Sequence, residues 1–208
     1  MNLVRVSSFL CALLISILVT SCSGKREHRN YPPTATGDWI AFGDSLTYGY
    51  GASRGKDYPT LLAQKLGVRI ENQGISGQTT GQAMGRVDAA ARKAPRVVLL
   101  CLGGNDGLQK IPRETMFKNL SDIISAFHAE GSFVVLIGVR SATLRDKNEE
   151  GFEELAERKR VLYISDILEG LFTDPRYMSD QIHPNDKGYE MIADRLAKEL
   201  QPLMEKLK

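Results

Sequence analysis

Short apolar runs alternate with amphipathic stretches along the chain from Asp38 onward. The runs are four to seven residues long, a length typical of buried strands. They predict five strands at residues 39–42, 68–71, 97–102, 133–139 and 161–164. The amphipathic stretches between them predict helices near residues 58–66, 80–92, 114–130 and 149–158, and a last helix from about 185 to 206.

The stretch 114–130 shows the helical pattern most clearly. Its apolar residues recur at the spacing of one helix face, and Gly131 follows as a stop signal. The face comprises Met116, Phe117, Leu120, Ile123, Ile124 and Phe127. Because strands alternate with helices, the pattern predicts one α/β domain with a mostly parallel sheet covered on both faces. In such sheets functional groups collect at the carboxyl ends of the strands.

The N-terminus has a different pattern. Arg5 precedes an apolar run over residues 9–19, which is too short to span a bilayer and has the length of a signal-peptide core. The following Val-Thr-Ser-Cys resembles the lipobox of bacterial lipoproteins, which implies cleavage before Cys22 and lipidation of that cysteine. The alternative is a plain secretory signal in which Cys22 is incidental.

This interpretation divides the chain into a signal peptide at 1–21, a lipidated tether at 22–37 and a folded domain at 38–208. The tether is polar and rich in proline, and as a flexible coil its last 15 residues would reach roughly 20 Å. His28 lies within it and is expected to be solvated. Ser23, being non-acidic, favours an outer membrane, so we expect a lipid-anchored protein of the bacterial envelope.

Charge and cysteine content limit the kinds of binding partner and the roles that the cysteines can have. The net charge is +2, and removal of residues 1–21, whose only charged side chain is Arg5, would lower it to +1. No basic block stands out, which argues against nucleic acid as a partner. With Cys11 removed and Cys22 acylated, only Cys101 remains, in an apolar strand where a buried structural role is expected.

Three predicted strands end in unusual polar loops, which the topology would bring to one edge of the sheet. They read Gly-Asp-Ser at 43–45, Asn-Gln-Gly-Ile-Ser-Gly at 72–77 and Gly-Gly-Asn-Asp at 103–106. An Asp-x-x-His-Pro segment at 180–184 follows later. A serine hydroxyl needs a base to become a nucleophile, and that base needs an orienting group. These three roles can be filled by a nucleophile at Ser45, a base at His183 and an orienting carboxylate at Asp180. The combination points to acyl transfer.

Each segment also has a structural alternative. Ser45 could be a helix N-cap, residues 105–107 a turn, and Asp180 the cap of a turn before the last helix. The four segments in this order make the functional interpretation the stronger one. Asp44 and Asp106 are expected to be structural and to bind nearby backbone.

Together the four segments resemble the blocks of the SGNH (GDSL) hydrolases, in order, over the chain from about Trp39 to the C-terminus. Two segments, Phe-Gly-Asp-Ser-Leu-Thr and Leu-Gly-Gly-Asn-Asp-Gly, are similar to those of one branch of the family. This branch contains multifunctional thioesterase/protease/lysophospholipases and arylesterases. The resemblance implies a three-layer α/β/α, flavodoxin-like fold with a five-stranded sheet. It also implies that Ser45 is the nucleophile, His183 the general base and acid, and Asp180 its orienter. The implied oxyanion hole consists of the N–H groups of Ser45 and Gly77 and the amide of Asn105.

The resemblance implies hydrolysis of carboxylic esters or thioesters without any cofactor or metal, by a protein expected to be a monomer. Lysophospholipids, acyl thioesters and small aryl or alkyl esters fit this branch. A carbohydrate O-acetyl esterase and a non-catalytic binding lipoprotein are the alternatives. The segment 140–163 is compact and highly charged for this branch, which puts a long-chain preference in doubt. Residues 108–111 could form an apolar wall or a plain surface loop.

Two further features are assigned structural roles. Gly-Ala-Ser-Arg-Gly at 51–55 is a literal Gly-x-Ser-x-Gly, but that motif requires a strand before it and a helix after it. Neither is predicted there, so Ser53 is interpreted as part of a loop beside the active site. His128, near the end of a helix, is expected to be solvated or to face the helix dipole.

Overall fold

The computed structural model of the protein describes residues 27–139 and 148–208. Its sheet is entirely parallel and has five strands in the order β2-β1-β3-β4-β5. The strands are β1 (Trp39–Gly43), β2 (Ile70–Gly74), β3 (Val97–Cys101), β4 (Phe133–Ile137) and β5 (Leu162–Ile164). After β2 has paired with one side of β1, the chain crosses to the other side of β1, where β3, β4 and β5 follow in order. β1 and β3 are therefore neighbours. Such a switch point is where open α/β sheets form a crevice.

Helices cover both faces of the sheet, as the alternating pattern predicts. They are α1 (Ser45–Tyr48), α2 (Tyr58–Leu66), α3 (Thr80–Ala91), α4 (Gly104–Leu108), α5 (Arg113–Ala129), α6 (Asn148–Lys159), α7 (Asp186–Leu200) and α8 (Met204–Leu207). Short 3₁₀ helices occupy Pro175–Tyr177 and Gln201–Leu203. Among the described residues, no helix combines the length and apolarity needed to cross a membrane.

Two hydrophobic cores lie on opposite faces of the sheet. Alternate strand residues such as Leu99 face α2 and α7, whereas their neighbours, such as Leu100, face α3, α5 and α6. Strands β1, β3 and β4 are buried at every position, because helices cover both of their faces. This buried centre fixes the positions of the loops that leave the carboxyl ends of β1 and β3.

The elements that differ from prediction are short or exposed. β2 begins two residues later than predicted and runs to Gly74, because it is an edge strand whose exposed polar residues carry no apolar signal. The predicted last helix ends at Leu200 and continues as a 3₁₀ turn containing Pro202. Proline has no N–H, so it cannot continue the α-helical hydrogen-bond pattern.

The N-terminal segment 27–37 packs against the domain, in contrast to the expected flexible tether. Asn30 donates its side-chain amide to the carbonyls of His128 and Ser132, at 3.0 Å each. The N–H of Thr34 binds the carbonyl of Gly131 at 3.1 Å. His28 is half-buried, with its ring centroid 6.0 Å from that of Phe133, and is therefore not fully solvated. The first residues of the predicted tether, with Cys22, lie outside the described residues.

The expectation for His128 was wrong. It is only 4 % exposed, and neither of its ring nitrogens has a hydrogen-bond partner within residues 27–139 and 148–208. Burial, with smaller contributions from Arg29 and Lys159, lowers the pKa of His128 to about 4. The imidazole is therefore neutral near pH 7 and does not complement the helix dipole with a charge. Cys101, by contrast, is buried as expected, and burial raises its pKa well above the usual range.

Acidification is expected to destabilise the fold through His128. The folded state holds its pKa below the unfolded value, so the unfolded state binds the proton first and stability falls as pH drops from 6.5 towards 4. This group alone accounts for about 1–2 kcal/mol between pH 7 and pH 5. In urea unfolding at both pH values, His128→Phe should show a smaller acid loss than the unsubstituted protein. An identical loss in both proteins would contradict this assignment.

Candidate active site

Ser45 is the first residue of α1, directly beyond the carboxyl end of β1. Asp44 caps this helix by accepting the N–H of Leu46 at 3.1 Å. Gly43 and Gly74 end the neighbouring strands β1 and β2, and a Cβ at either position would overlap residues of α1. The two glycines therefore allow α1 to pack tightly on the edge of the sheet and place Ser45 at the crevice.

The segment 180–184 reaches the same edge and completes a three-residue chain of contacts. His183 Nε2 lies 3.1 Å from Ser45 Oγ, and His183 Nδ1 lies 2.8 Å from Asp180 Oδ2. Ser45 is 8 % exposed and the His183 side chain is 13 % exposed, while the Asp180 side chain is 43 % exposed. Ser45 and His183 are thus mostly enclosed, and Asp180 binds the ring from the more exposed side.

Asp180 binds both the backbone and the imidazole. Its Oδ1 accepts the N–H groups of Ile182 and His183, at 2.8 Å each, so Oδ2 is directed at the ring. Burial by itself would raise the pKa of Asp180, but these N–H groups and the imidazole outweigh it, and the pKa is lowered. The carboxylate is therefore ionised at neutral pH and can stabilise a proton on His183.

Several contacts hold the His183 loop in place. The carbonyl of His183 accepts from the N–H and the hydroxyl of Ser179, at 2.8 and 3.1 Å. Asn185 caps α7 and donates its amide to the carbonyls of Arg176 and Met178, at 3.0 and 3.2 Å. The ring of Tyr50 packs on the imidazole with centroids 4.4 Å apart. Tyr50 was not singled out in the sequence, because it carries no spacing signal.

The predicted oxyanion donors also come from loops at this edge. Within the described residues, the N–H groups of Ser45 and Gly77 have no hydrogen-bond acceptor. Gly77 has a φ of +77° and open space where a side chain would lie. The side-chain amide of Asn105 donates to the Gln78 carbonyl at 3.1 Å and, at a longer 3.3 Å, to Asp44 Oδ2.

The structure places the two neighbouring carboxyls in the structural roles expected for them. Asp106 accepts the N–H and the hydroxyl of Thr80, at 2.9 and 2.6 Å, and so fixes the start of α3. Asp44 binds Leu46 and Asn105. Burial raises the pKa of Asp44 to about 7, against the opposing effect of the Leu46 N–H. Asp44 therefore connects the helix of Ser45 with the amide of Asn105.

Arg86 is a further supporting residue that sequence reasoning missed. Its guanidinium donates to the carbonyl of Gly43 at 3.0 Å and to the side-chain oxygen of Gln78 at 2.7 Å. It also lies 3.8 Å above the ring of Phe42. Half-buried in this way, it links the end of β1 to the loop that carries Gly77. An arginine at a helix position gives no sequence signal for this contact.

The rim of the site carries exposed apolar side chains, and this apolar surface is called the apolar rim. The described residues include five large hydrophobic side chains that are exposed, and all of them belong to segments at this edge: Tyr48, Tyr50, Ile75, Leu108 and Ile182. Leu108, at the end of α4, is 65 % exposed, so this part of the segment 108–111 supplies apolar surface. Residues 140–147, whose charge raised doubt about long acyl chains, lie outside the described residues.

Ser53 lies in the loop between α1 and α2, with neither a strand before it nor a helix after it. Its N–H donates to Asp186 Oδ1 at 2.6 Å, and it is Ser45, not Ser53, that contacts His183. In the described ranges, 27–139 and 148–208, no group of three or more His, Cys, Asp or Glu side chains is arranged to hold a metal ion.

Comparison with known proteins agrees with this geometry. The model of the GDSL-like lipase/acylhydrolase family matches residues 41–191. An arylesterase of Vibrio mimicus is 33 % identical over 173 residues, covering 77 % of this chain and 86 % of the relative. The thioesterase 1/protease 1/lysophospholipase L1 of Escherichia coli K12 is 33 % identical over 174 residues, covering 79 % and 84 %.

A solved structure of the psychrotrophic esterase EstA from Pseudoalteromonas sp., inhibited by monoethylphosphonate, has a similar fold. It superposes with a TM-score of 0.74 at 24 % identity and covers 82 % of this chain and all of its own. The sequence matches, the five-stranded parallel sheet and the surrounding helices therefore lead to one conclusion: the chain belongs to the GDSL-like (SGNH) lipase/acylhydrolase family and is a carboxylic ester hydrolase.

Proposed function

We propose that the protein hydrolyses carboxylic esters and thioesters through an acyl-enzyme formed on Ser45. The observation that carries this proposal is the contact of 3.1 Å between Ser45 Oγ and His183 Nε2, with Asp180 bound to the opposite ring nitrogen. Because Asp180 accepts the proton on Nδ1, Nε2 keeps a lone pair that can accept the serine proton.

In the acylation step, Ser45 Oγ attacks the carbonyl carbon of the ester while His183 Nε2 takes the hydroxyl proton. Negative charge then develops on the former carbonyl oxygen. The N–H groups of Ser45 and Gly77 are free to bind it, and Asn105 joins them by exchanging its longer contact with Asp44 for the oxyanion. Loss of one such donor typically costs about a hundred- to a thousandfold in rate.

Collapse of the tetrahedral species breaks the bond to the leaving alcohol or thiol, which receives the proton from His183. Water then attacks the acylated serine, and His183 takes one of its protons. The carboxylic acid leaves as Ser45 Oγ regains its proton. The imidazolium in both half-reactions is stabilised by Asp180, whose lowered pKa keeps it ionised. Tyr50, whose ring packs at a tilt against the imidazole, restrains its orientation.

The apolar rim favours an acyl or aryl group over a sugar. Five exposed hydrophobic side chains belong to the segments at this edge, and burial of their area by an apolar substrate group is favourable at about 25 cal/mol per Å². The names of the relatives, an arylesterase and a thioesterase/lysophospholipase, are in agreement with this preference. We therefore place aryl esters and acyl esters or thioesters ahead of acetylated carbohydrates.

A chain-length and leaving-group panel tests this choice. The chain from Ser23, which contains every described residue, would be assayed with 4-nitrophenyl esters from acetate to dodecanoate, acyl thioesters, lysophospholipids and acetylated sugars. We expect kcat/KM for an aryl or acyl ester to exceed that for acetylated xylose at least tenfold. Replacing Leu108 with serine should lower kcat/KM for butyrate more than for acetate. A preference for acetylated sugars would identify the carbohydrate esterase alternative instead.

We also propose that residues 1–21 are a lipoprotein signal and that Cys22 carries the lipid, which places the protein in the bacterial envelope. The support is the sequence alone: an apolar core of signal-peptide length ends in small residues directly before Cys22.

Replacement of Cys22 with alanine tests the anchor in a Gram-negative host. We expect the unsubstituted protein in the membrane pellet and the variant either released or retained as an uncleaved precursor, since the lipid requires the cysteine thiol. Cys101→Ala serves as the matched control and should not change the partition. Equal membrane partition and equal electrophoretic mobility of all three proteins would contradict lipidation.

A further inference from the structure

A cavity of about 530 Å³ opens on the side of the domain away from the candidate active site, and its lining is basic. Arg29, Arg158, Lys159 and Arg160 line it together with Ser121. Arg158 and Lys159 end α6, and Arg160 lies just before β5, so the cavity is at the amino ends of the strands. We call these four cations the basic cluster.

The basic cluster has no ion-pair partner among the described residues. In the part of the chain that the structure describes, none of its four side chains forms an ion pair with a carboxylate. The nearby Asp122 is paired with Lys118 at 2.8 Å. Lys159 instead donates to Ser125 Oγ at 2.7 Å. Burial, and then the neighbouring Arg158, lower the pKa of Lys159, and Asp122 opposes this shift only in part.

The contacts around Arg160 make this arrangement rigid. Its guanidinium donates to the carbonyl of Glu27 at 2.7 Å, and its own carbonyl accepts the N–H of Arg29 at 2.7 Å. The N-terminal segment thus enters the domain at the basic cluster and contributes Arg29 to it. In a chain with a net charge of only +2, four cations around one cavity form a marked local positive field.

We propose that the basic cluster docks the domain on a membrane surface rich in anionic phospholipid, with the phosphate groups of the lipids facing the cavity. The position of the cluster supports this occupant. Only four residues separate Cys22 from Glu27, so the five Cα–Cα steps between them span at most about 18 Å. If Cys22 is anchored, as proposed above, the bilayer surface is within that distance of the cluster.

Docking in this way sets the orientation of the enzyme. The cluster is at the amino ends of the strands and Ser45 is at the carboxyl end of β1, so the sheet separates them by about 16 Å for a five-residue strand. The apolar rim then faces away from the membrane that holds the protein. The enzyme would act on esters that approach from the aqueous side rather than on lipids of its own bilayer.

Vesicle binding tests the docking without the anchor and without catalysis. The chain from Ser23 would be sedimented with phosphatidylcholine vesicles containing none or about 40 % phosphatidylglycerol, at low and high salt. The test variant carries Arg29→Gln, Arg158→Gln and Lys159→Gln. The control variant carries Arg54→Gln, Lys187→Gln and Lys198→Gln, which removes the same charge from exposed positions outside the cluster.

We expect binding only to the anionic vesicles, reduced by salt, and reduced on the order of a hundredfold by the test variant but much less by the control. Hydrolysis of a soluble 4-nitrophenyl ester should be unchanged in both variants, which separates this result from any failure of the proposed catalytic function. Equal losses in the two variants, or equal binding to neutral vesicles through the apolar rim, would overturn the proposal. Failure of the unsubstituted chain to bind anionic vesicles would also overturn it.

Discussion

Replacement of Ser45 with alanine is expected to lower kcat for 4-nitrophenyl butyrate on the order of 10⁶-fold. The variant lacks the only hydroxyl that contacts His183 Nε2 among the described residues, so no acyl-enzyme can form. The oxyanion donors and the apolar rim remain, and a small residual activity over the uncatalysed reaction should persist. Because Ser45 is small and lies at the start of α1, the variant should fold, which thermal unfolding would verify.

Ser53→Ala is the matched control for this variant. Ser53 is exposed, and alanine retains the contact of its backbone N–H with Asp186. Only the hydrogen bond of its side chain to Asp186, which does not involve Ser45 or His183, would be lost. Its rate should therefore stay within a factor of about two of the original. If Ser53→Ala abolished hydrolysis while Ser45→Ala retained it, the assignment of the nucleophile would be wrong.

Asp180→Asn is expected to lower kcat by about 10⁴-fold, less than His183→Ala, which should equal the loss in Ser45→Ala. Asp180 Oδ1 accepts two backbone N–H groups, so the oxygen of an asparagine would take that position. Its NH₂ group would then face His183 Nδ1 and donate to it. The ring would carry its proton on Nε2, where it cannot accept the proton of Ser45.

The kinetics of the three single variants and the Asp180→Asn/His183→Ala double variant would measure this coupling. The double variant should be no slower than His183→Ala, since Asp180 acts through the ring. KM should change little, because neither side chain is required for the apolar contacts at the rim. Additive losses in the double variant would show that Asp180 acts independently of His183.

The sequence predicted the buried centre of the fold well. Strands β1, β3 and β4 are continuous apolar runs because helices cover both of their faces, and helix α5 has an uninterrupted apolar face. Both signals arise because buried positions are occupied by apolar residues, which can be recognised in the sequence. The edge strand β2 and the short helices α1 and α4 carry little burial signal, and their bounds were therefore shifted or missed.

The residues with predicted catalytic roles could be named from four motifs, but the residues that hold them in place could not. Arg86 contacts Gly43, which is 43 positions away in the chain, and Tyr50 contacts His183 from a distant loop. Such contacts depend on tertiary packing rather than local spacing. His128 was misjudged for the same reason, since the segment that covers it, including Asn30, was expected to be a free tether.

The most direct measurement of the central claim is the site of covalent labelling by an alkyl phosphonate ester. Such an ester transfers its phosphonyl group to the oxygen of an activated serine and releases its leaving alcohol or phenol. Ser45 and Ser53 lie in one tryptic peptide, residues 30–54, so cleavage after Tyr48 or fragment ions would be needed to separate them by mass spectrometry. We expect a single phosphonyl adduct on Ser45, lost in His183→Ala and retained in Ser53→Ala. An adduct on Ser53, or labelling that persists at another residue in Ser45→Ala, would contradict the account.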